Sequence, residues 1–285
     1  MSRLPSNPHS VPPADGGGPD GGKPPAFVKI YGMKRAGTND VAAMCALNFR
    51  DVVVFSNILG WKHGPIAPPT YDGSNWFETD RQRRLHERAY LDKLQPVLSH
   101  VRQAVASGQL RVIVVIRNPY AGYLSFARSW HGWRPDAQDY PHARAVPYAR
   151  SWSRSNREWL EAIAGRPCSA CVVYEEFVSD VRGGLDALGE RLSLRTREPL
   201  VDVADEMPMG ADYLRPSELR TVPAANRRAD DASRLAAYRA VVESIPGEVV
   251  DRMNACLDTD LMRRFRYPLL RPSTRAGSTG PVSSP

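Results

Sequence analysis

Lys34 and Arg35 lie in a glycine-bounded stretch, Gly32-Met33-Lys34-Arg35-Ala36-Gly37-Thr38-Asn39, whose residue types and spacing suit an anion. The two side chains bring full positive charge. A tight turn into a helix adds backbone N–H donors and the positive end of the helix dipole. Gly32 and Gly37 have the G-x-x-x-x-G spacing of a nucleotide P-loop. A Walker loop then needs Lys, to reach the outer phosphates, and Ser or Thr, to hold magnesium. Those places hold Thr38 and Asn39, and the cations come before the second glycine instead. This argues against an ATPase or an ordinary kinase. It favours a phosphate or sulfate group that needs no such magnesium arrangement. The plainer alternative is that the two glycines only close a strand-to-helix turn.

Two further sets of residues could do chemistry. Lys62 and His63 lie between Trp61 and a Gly64-Pro65 break. His63 could take a proton from a hydroxyl, and nearby cations would favour its neutral form. Lys62 could stabilise developing negative charge. Alternatively, both are solvated on an exposed loop. In Arg117-Asn118-Pro119, Arg117 ends an aliphatic run, Asn118 is a good N-cap and Pro119 suits the first helical position. Asn118, Gly122 and Ser125 fall on one helix face, small and polar, with room for a phosphate between Arg117 and the Ser125 hydroxyl. The alternative is a helix packed closely through Gly122, with Arg117 in a structural salt bridge.

Strands and helices must position these groups. Phe27–Tyr31 reads as a short buried strand, and a helix with an apolar face at Val41, Met44, Cys45 and Leu47 follows the loop. Asp51–Phe55 reads as a second strand. The unbroken run Val112–Ile116 reads as a buried parallel strand, so Arg117 stands at a carboxyl end, where ligands of open α/β sheets bind. Residues 79–106 have a helical pattern. Residues 134–147 read as a Pro-rich loop, and 148–164 as a helix with Trp152 and Trp159 in the core. Cys171–Tyr174 reads as a strand, and a short helix follows up to Leu192. Glu175 and Glu176 read as local capping or pairing groups rather than a catalytic pair. Residues 202–228 look irregular, and 232–245 and 248–264 look like the last helices.

Composition bounds the rest. The chain has 285 residues and a net charge of +7, with a pI of about 9.4. Residues 1–25 and 271–285 are rich in Pro, Gly and Ser and are expected to be disordered tails. That leaves about 245 residues, 26–270, enough for one α/β core. Arg is spread along the chain, which favours a small polyanion over nucleic acid. The N-terminus shows no apolar leader and no aliphatic run is long enough to span a bilayer, so a cytoplasmic protein is expected. Cys168-Ser-Ala-Cys171 is a lone C-x-x-C, and buried free thiols are expected rather than a zinc site.

Taken together, these stretches resemble the sulfotransferases that use 3′-phosphoadenylyl sulfate (PAPS). In that family a first-strand loop of Pro, Lys or Arg, Ser, Gly, Thr, then Thr or Asn cradles the 5′-phosphosulfate. Lys34-Arg35-Ala36-Gly37-Thr38-Asn39 stands in its place. A second signature has Arg, Asn or Asp, and Pro after a strand, with Ser eight residues after the Arg. Arg117-Asn118-Pro119 and Ser125 match it, and in the family both ends bind the 3′-phosphate. A third is a strand ending in Tyr-Glu, matched by Tyr174-Glu175-Glu176-Phe177, whose tyrosine lies near the adenine in relatives. Lys62-His63-Gly64-Pro65 is similar to the Lys and His that assist transfer, without the residue that usually separates them. Lys34 stands where relatives have Pro, and Ala36 where they have Ser. Alignment favours Arg35 over Lys34 as the charge stabiliser. The family's basic cofactor-covering loop near the C-terminus is not recognisable.

The resemblance implies one α/β domain, a mainly parallel sheet flanked by helices, with a P-loop-like sulfotransferase fold. It implies sulfuryl transfer from PAPS, without a metal, to a hydroxyl or amine of a small-molecule or carbohydrate acceptor. His63, Lys62 and Arg35 would act in transfer. Lys34, Arg35, Ala36, Gly37, Thr38, Asn39, Arg117, Ser125 and Tyr174 would bind the donor. Trp76, Phe77, Trp130, Trp133 and Tyr140 could line an acceptor pocket. Two other readings stay open: a kinase-like phosphotransferase, and a non-catalytic anion or nucleic-acid binder.

Overall fold

Strand periodicity divides the core in two. In β1 (Ala26–Gly32), Val28 and Ile30 face one side of the sheet, and Lys29 and Tyr31 the other. In β3 (Arg111–Ile116), Ile113 and Val115 share the side of Val28, while Val112, Val114 and Ile116 share that of Tyr31. Both faces are covered, which is why both strands read as unbroken apolar runs. The structure is a computed structural model. It describes residues 25–56, 59–66, 100–131, 142–203, 213–214, 221–223, 242 and 245–271. All but one residue of each expected tail, and residues 67–99, lie outside these.

Five strands form the sheet in the order β4-β3-β1-β2-β6. β2 (Val52–Phe55), β1, β3 and β4 (Ser169–Val173) run parallel, and β6 (Tyr213–Leu214) pairs antiparallel with β2. The chain goes from β1 to β2 on one side, then returns to β3 and β4 on the other. The order therefore reverses between β1 and β3, the place where open α/β sheets bind ligands beyond the strands' carboxyl ends. Gly32 and Arg117 are the residues at those two ends.

On one face, α1 (Thr38–Asn48) and α5 (Val181–Leu192) pack with Val28, Ile30, Ile113 and Val115. On the other lie α2 (Pro119–His131), α3 (His142–Ile163), α6 (Gly247–Asn254) and α7 (Thr259–Arg264), packed around Tyr31, Trp152 and Trp159. α4 (Tyr174–Ser179) links β4 to α5, with the Asp180 side chain capping α5 at the Gly183 N–H. Among the described residues, no helix is long and apolar enough to cross a membrane.

The structure corrects several expectations. Every residue of α1 from Val41 to Asn48 is buried, so this helix has no single apolar face. It is enclosed by the sheet, by α5 and by β5 (Val201–Val203). Residues 142–147 are helical although Pro147 lies inside the helix. The lost N–H bond is outweighed there by burial of Ala145, Tyr148 and Ala149. Residues 202–228 are not wholly irregular: β5 pairs antiparallel with β7 (Thr221–Pro223). The expected last helix is two, because Asp258 caps the Asp260 and Leu261 N–H groups and restarts the helix. β4 stops at Val173, and Tyr174 opens α4. Of the cysteines, Cys45 is buried, whereas Cys171 is exposed on the outer edge of β4.

Candidate functional site

The loop after β1 is shaped by two left-handed residues, Arg35 (φ 68°) and Gly37 (φ 84°). Gly37 is the N-cap of α1 and makes no side-chain cap bond. The first N–H groups of a helix have no intrahelical partner, so those of α1 face the loop. A Cβ on Gly37 would overlap the ring of Tyr174, which lies against it. The Tyr174 hydroxyl donates to Asp40 Oδ2 at 2.5 Å, fixing the ring across the loop. Gly37→Ala is expected to combine this overlap with a strained φ. A stability loss of about 1–3 kcal/mol should follow in urea unfolding, with weaker nucleotide binding in titration calorimetry.

Lys62 and His63 are adjacent, yet both reach the loop. The chain turns there, with Gly64 N–H bonded to the Trp61 carbonyl at 3.0 Å. Gly32 N–H donates to the Lys62 carbonyl at 2.9 Å, which ties the turn to the end of β1. Lys62 is buried, and its Nζ donates to Asn39 Oδ1 at 2.6 Å. His63 Nδ1 lies 2.5 Å from the Gly32 carbonyl oxygen. A carbonyl only accepts, so Nδ1 carries the proton. In neutral His63 the lone pair is therefore on Nε2.

Burial pushes the His63 pKa down to about 4, opposed by the bond to Gly32 and reinforced by the charges of Lys62, Lys34 and Lys29. Lys29 is itself wholly buried on β1. It donates to the carbonyls of Ser56 and, at 2.6 Å, Gly60, and so holds down the segment that leads into Lys62. Sequence reasoning passed over Lys29. A lysine between Val28 and Ile30 in a central strand is the signal that could have found it.

The loop's two cations point different ways. Arg35 Nε donates to Ser125 Oγ on α2 at 3.0 Å. Lys34 Nζ lies 5.2 Å from the centroid of Trp61, whose ring meets His63 edge-on at 5.3 Å. Arg35 is thus on the α2 side of the loop and Lys34 on the His63 side. Ala36 is buried, and its N–H is used on the Met33 carbonyl at 3.0 Å.

Arg117 leaves the end of β3 toward the same loop. Its Nη1 donates to the Arg35 carbonyl at 2.8 Å, its Cζ lies 4.8 Å over the Tyr174 ring, and its Nε is 3.9 Å from Glu175 Oε1. Asn118 caps α2, its Oδ1 accepting from Tyr120 N–H at 3.0 Å. Gly122 does pack closely: a Cβ there would overlap the Tyr148 hydroxyl. The space expected beside Gly122 is therefore filled by Tyr148, whose hydroxyl also reaches the Lys34 carbonyl at 3.5 Å. The structural alternative for Arg117 is present too, as the Glu175 contact.

Lys34, Arg35, Ala36, Gly37, Thr38, Asn39, Lys62, His63, Arg117, Ser125 and Tyr174 are thereby gathered around one loop. Trp76, Phe77, Trp133, Tyr140 and the side chain of Trp130 lie outside the described residues. A separate groove of about 980 Å³ runs along the outer edge of β4, lined in part by Cys171, Glu176 and Arg191. It includes none of the residues around the loop.

No family model matches the chain, and no curated protein matches it. Among solved structures, the chain is similar to the sulfotransferase domain of the Synechococcus PCC 7002 olefin synthase. That match has 20% identity and a TM-score of 0.38, over 76% of this chain and 97% of that one. It is likewise similar to the sulfotransferase domain of the curacin biosynthetic pathway, with 13% identity and a TM-score of 0.37, over 75% of this chain and 98% of that one.

Proposed function

We propose that the chain is a sulfotransferase that moves a sulfuryl group from PAPS to a hydroxyl, or an amine, of a small-molecule or carbohydrate acceptor. One observation carries the reading. The loop after β1 has cationic or hydroxyl partners on its α2 side (Arg35, Arg117, Ser125) and a histidine with a defined lone pair on the other. A nucleotide phosphorylated at both ends of its ribose, with a transferable group at the 5′ end, suits such a two-sided site.

PAPS would supply the sulfuryl group. Arg117 and Ser125 would hold its 3′-phosphate, with Arg35 beside them. The N–H groups at the start of α1, with Thr38 and Asn39, would hold the 5′ end. His63 Nε2 takes the proton of the acceptor hydroxyl as that oxygen bonds to sulfur. The bond from sulfur to the 5′-phosphate oxygen breaks, and the phosphate leaves with the electron pair. Lys62, Lys34 and Arg35 offset the negative charge that builds on the transferring and leaving oxygens. Positioning and electrostatics supply most of the rate in such transfers. Nothing in this scheme needs a metal.

Titration calorimetry with 3′,5′-adenosine bisphosphate, 5′-AMP and ATP tests the reading. Preferred binding of the bisphosphate is the expected result. Equal binding of all three would overturn it, and magnesium-dependent preference for ATP would favour a phosphotransferase.

A further inference from the structure

Arg117 is held from a distance by the last described segment of the chain. The Tyr267 hydroxyl donates to Glu175 Oε2 at 2.7 Å. The other oxygen, Oε1, accepts from Asn118 N–H at 3.1 Å and lies 3.9 Å from Arg117 Nε. One carboxylate thus joins Tyr267 to the β3–α2 turn that carries Arg117. The Tyr267 ring is buried against Trp152 at 6.5 Å and Phe265 at 6.3 Å, and Trp152 Nε1 donates to the Arg117 carbonyl at 2.8 Å. Three residues on, Leu270 N–H donates to the Tyr120 hydroxyl at 3.3 Å, and Asn254 Nδ2 donates to the Leu270 carbonyl at 3.0 Å. Tyr120 also bonds to Asn254. Residues 265–270 therefore brace the start of α2 on both sides of Asn118.

We infer that Tyr267, acting through Glu175, is a positioning residue that sets the Arg117 guanidinium and so determines selectivity for the 3′-phosphate. This deepens the proposed function and rests on it. Asn118 N–H fixes one oxygen of the Glu175 carboxylate, whose terminal torsion is broad and soft. The Tyr267 hydroxyl fixes the second oxygen and so removes that freedom. Arg117 is then held by a carbonyl and a ring, with an oriented carboxylate at ion-pair distance, 3.9 Å, from its Nε. A guanidinium recognises phosphate through a planar fork, so its orientation bears directly on affinity.

Tyr267→Phe tests this, since it keeps the buried ring and removes only the hydroxyl. Affinities for 3′,5′-adenosine bisphosphate and 5′-AMP are measured by calorimetry on wild type, Tyr267→Phe, Glu175→Gln and the double variant. Melting temperatures monitor folding. Tyr267→Phe is expected to lower bisphosphate affinity by about threefold to tenfold and to leave AMP affinity unchanged. In the Glu175→Gln background the same change should add little, because the two act as one unit. Equal losses for both nucleotides, no loss, or full additivity would overturn the proposal while the parent reading stands. Wild type that does not distinguish the two nucleotides would overturn the parent reading and this proposal with it. Should Tyr267→Phe fail to fold, Glu175→Gln carries the test through the same affinity ratio.

Discussion

Replacing His63 by alanine should lower turnover by about 10²–10⁴-fold, the usual contribution of a positioned general base. Turnover is measured as bisphosphate released from PAPS, with 4-nitrophenol supplied as probe acceptor. Binding of 3′,5′-adenosine bisphosphate should survive, because the partners proposed for the 3′ end, Ser125 and Arg117, stand on α2 and just after β3. Turnover equal to wild type would remove His63 from the mechanism. The pH dependence gives a second reading of the same residue. With its pKa lowered to about 4 by burial and three lysines, His63 is a weak base in the free protein. A polyanionic donor would counter the lysine charges and raise that pKa toward the working range. The acid limb of kcat/KM should therefore fall near pH 4, and that of kcat at higher pH. The sign for stability is fixed by the same shift. Between pH 6.5 and 4 the unfolded chain binds the His63 proton and the folded one does not, so stability is present above the unfolded value and falls as pH drops through this window. The full loss is about 3 kcal/mol, and His63→Ala should flatten that part of the curve.

The parts of this site legible in the sequence are those fixed by local rules. β1 and β3 were readable because burial on both faces leaves an unbroken apolar run. Asn118-Pro119 marked the start of α2, because capping depends on a few adjacent residues. The opposite directions of Lys34 and Arg35 were not readable. They depend on a left-handed Arg35 and on Ser125, 90 residues away. The joint reach of Lys62 and His63 depends on a turn tied to Gly32, and a linear spacing rule does not contain it. The helix start before Pro147 was not readable either, because a Pro-rich stretch carries a real local cost to helix that burial of neighbouring side chains outweighs. Tyr267 meets Glu175 across 92 residues, and only tertiary packing brings them together.

Arg117→Ala should reduce affinity for 3′,5′-adenosine bisphosphate by about 10–100-fold, as hydrogen bonds to a charged group are worth about 1.5–3 kcal/mol. Affinity for 5′-AMP should hardly change. Two features of the structure complicate a simple loss and also make it interpretable. Arg117 Nη1 holds the Arg35 carbonyl, so its removal could loosen the loop, and a loosened loop would weaken both nucleotides alike. Arg117→Lys separates the effects. It keeps the charge near the phosphate but loses the planar fork that reaches the carbonyl and the phosphate together. A lysine variant with intermediate bisphosphate affinity and normal AMP affinity would assign Arg117 to the 3′-phosphate. The second feature is Glu175, which loses the Arg117 guanidinium in either variant but keeps Asn118 N–H and the Tyr267 hydroxyl. Those two bonds limit the cost of stranding the carboxylate, so the variants should fold. A fall of the same size for AMP and bisphosphate would instead make Arg117 a buttress of the loop, and the 3′-phosphate would have to be held by Arg35 and Ser125 alone.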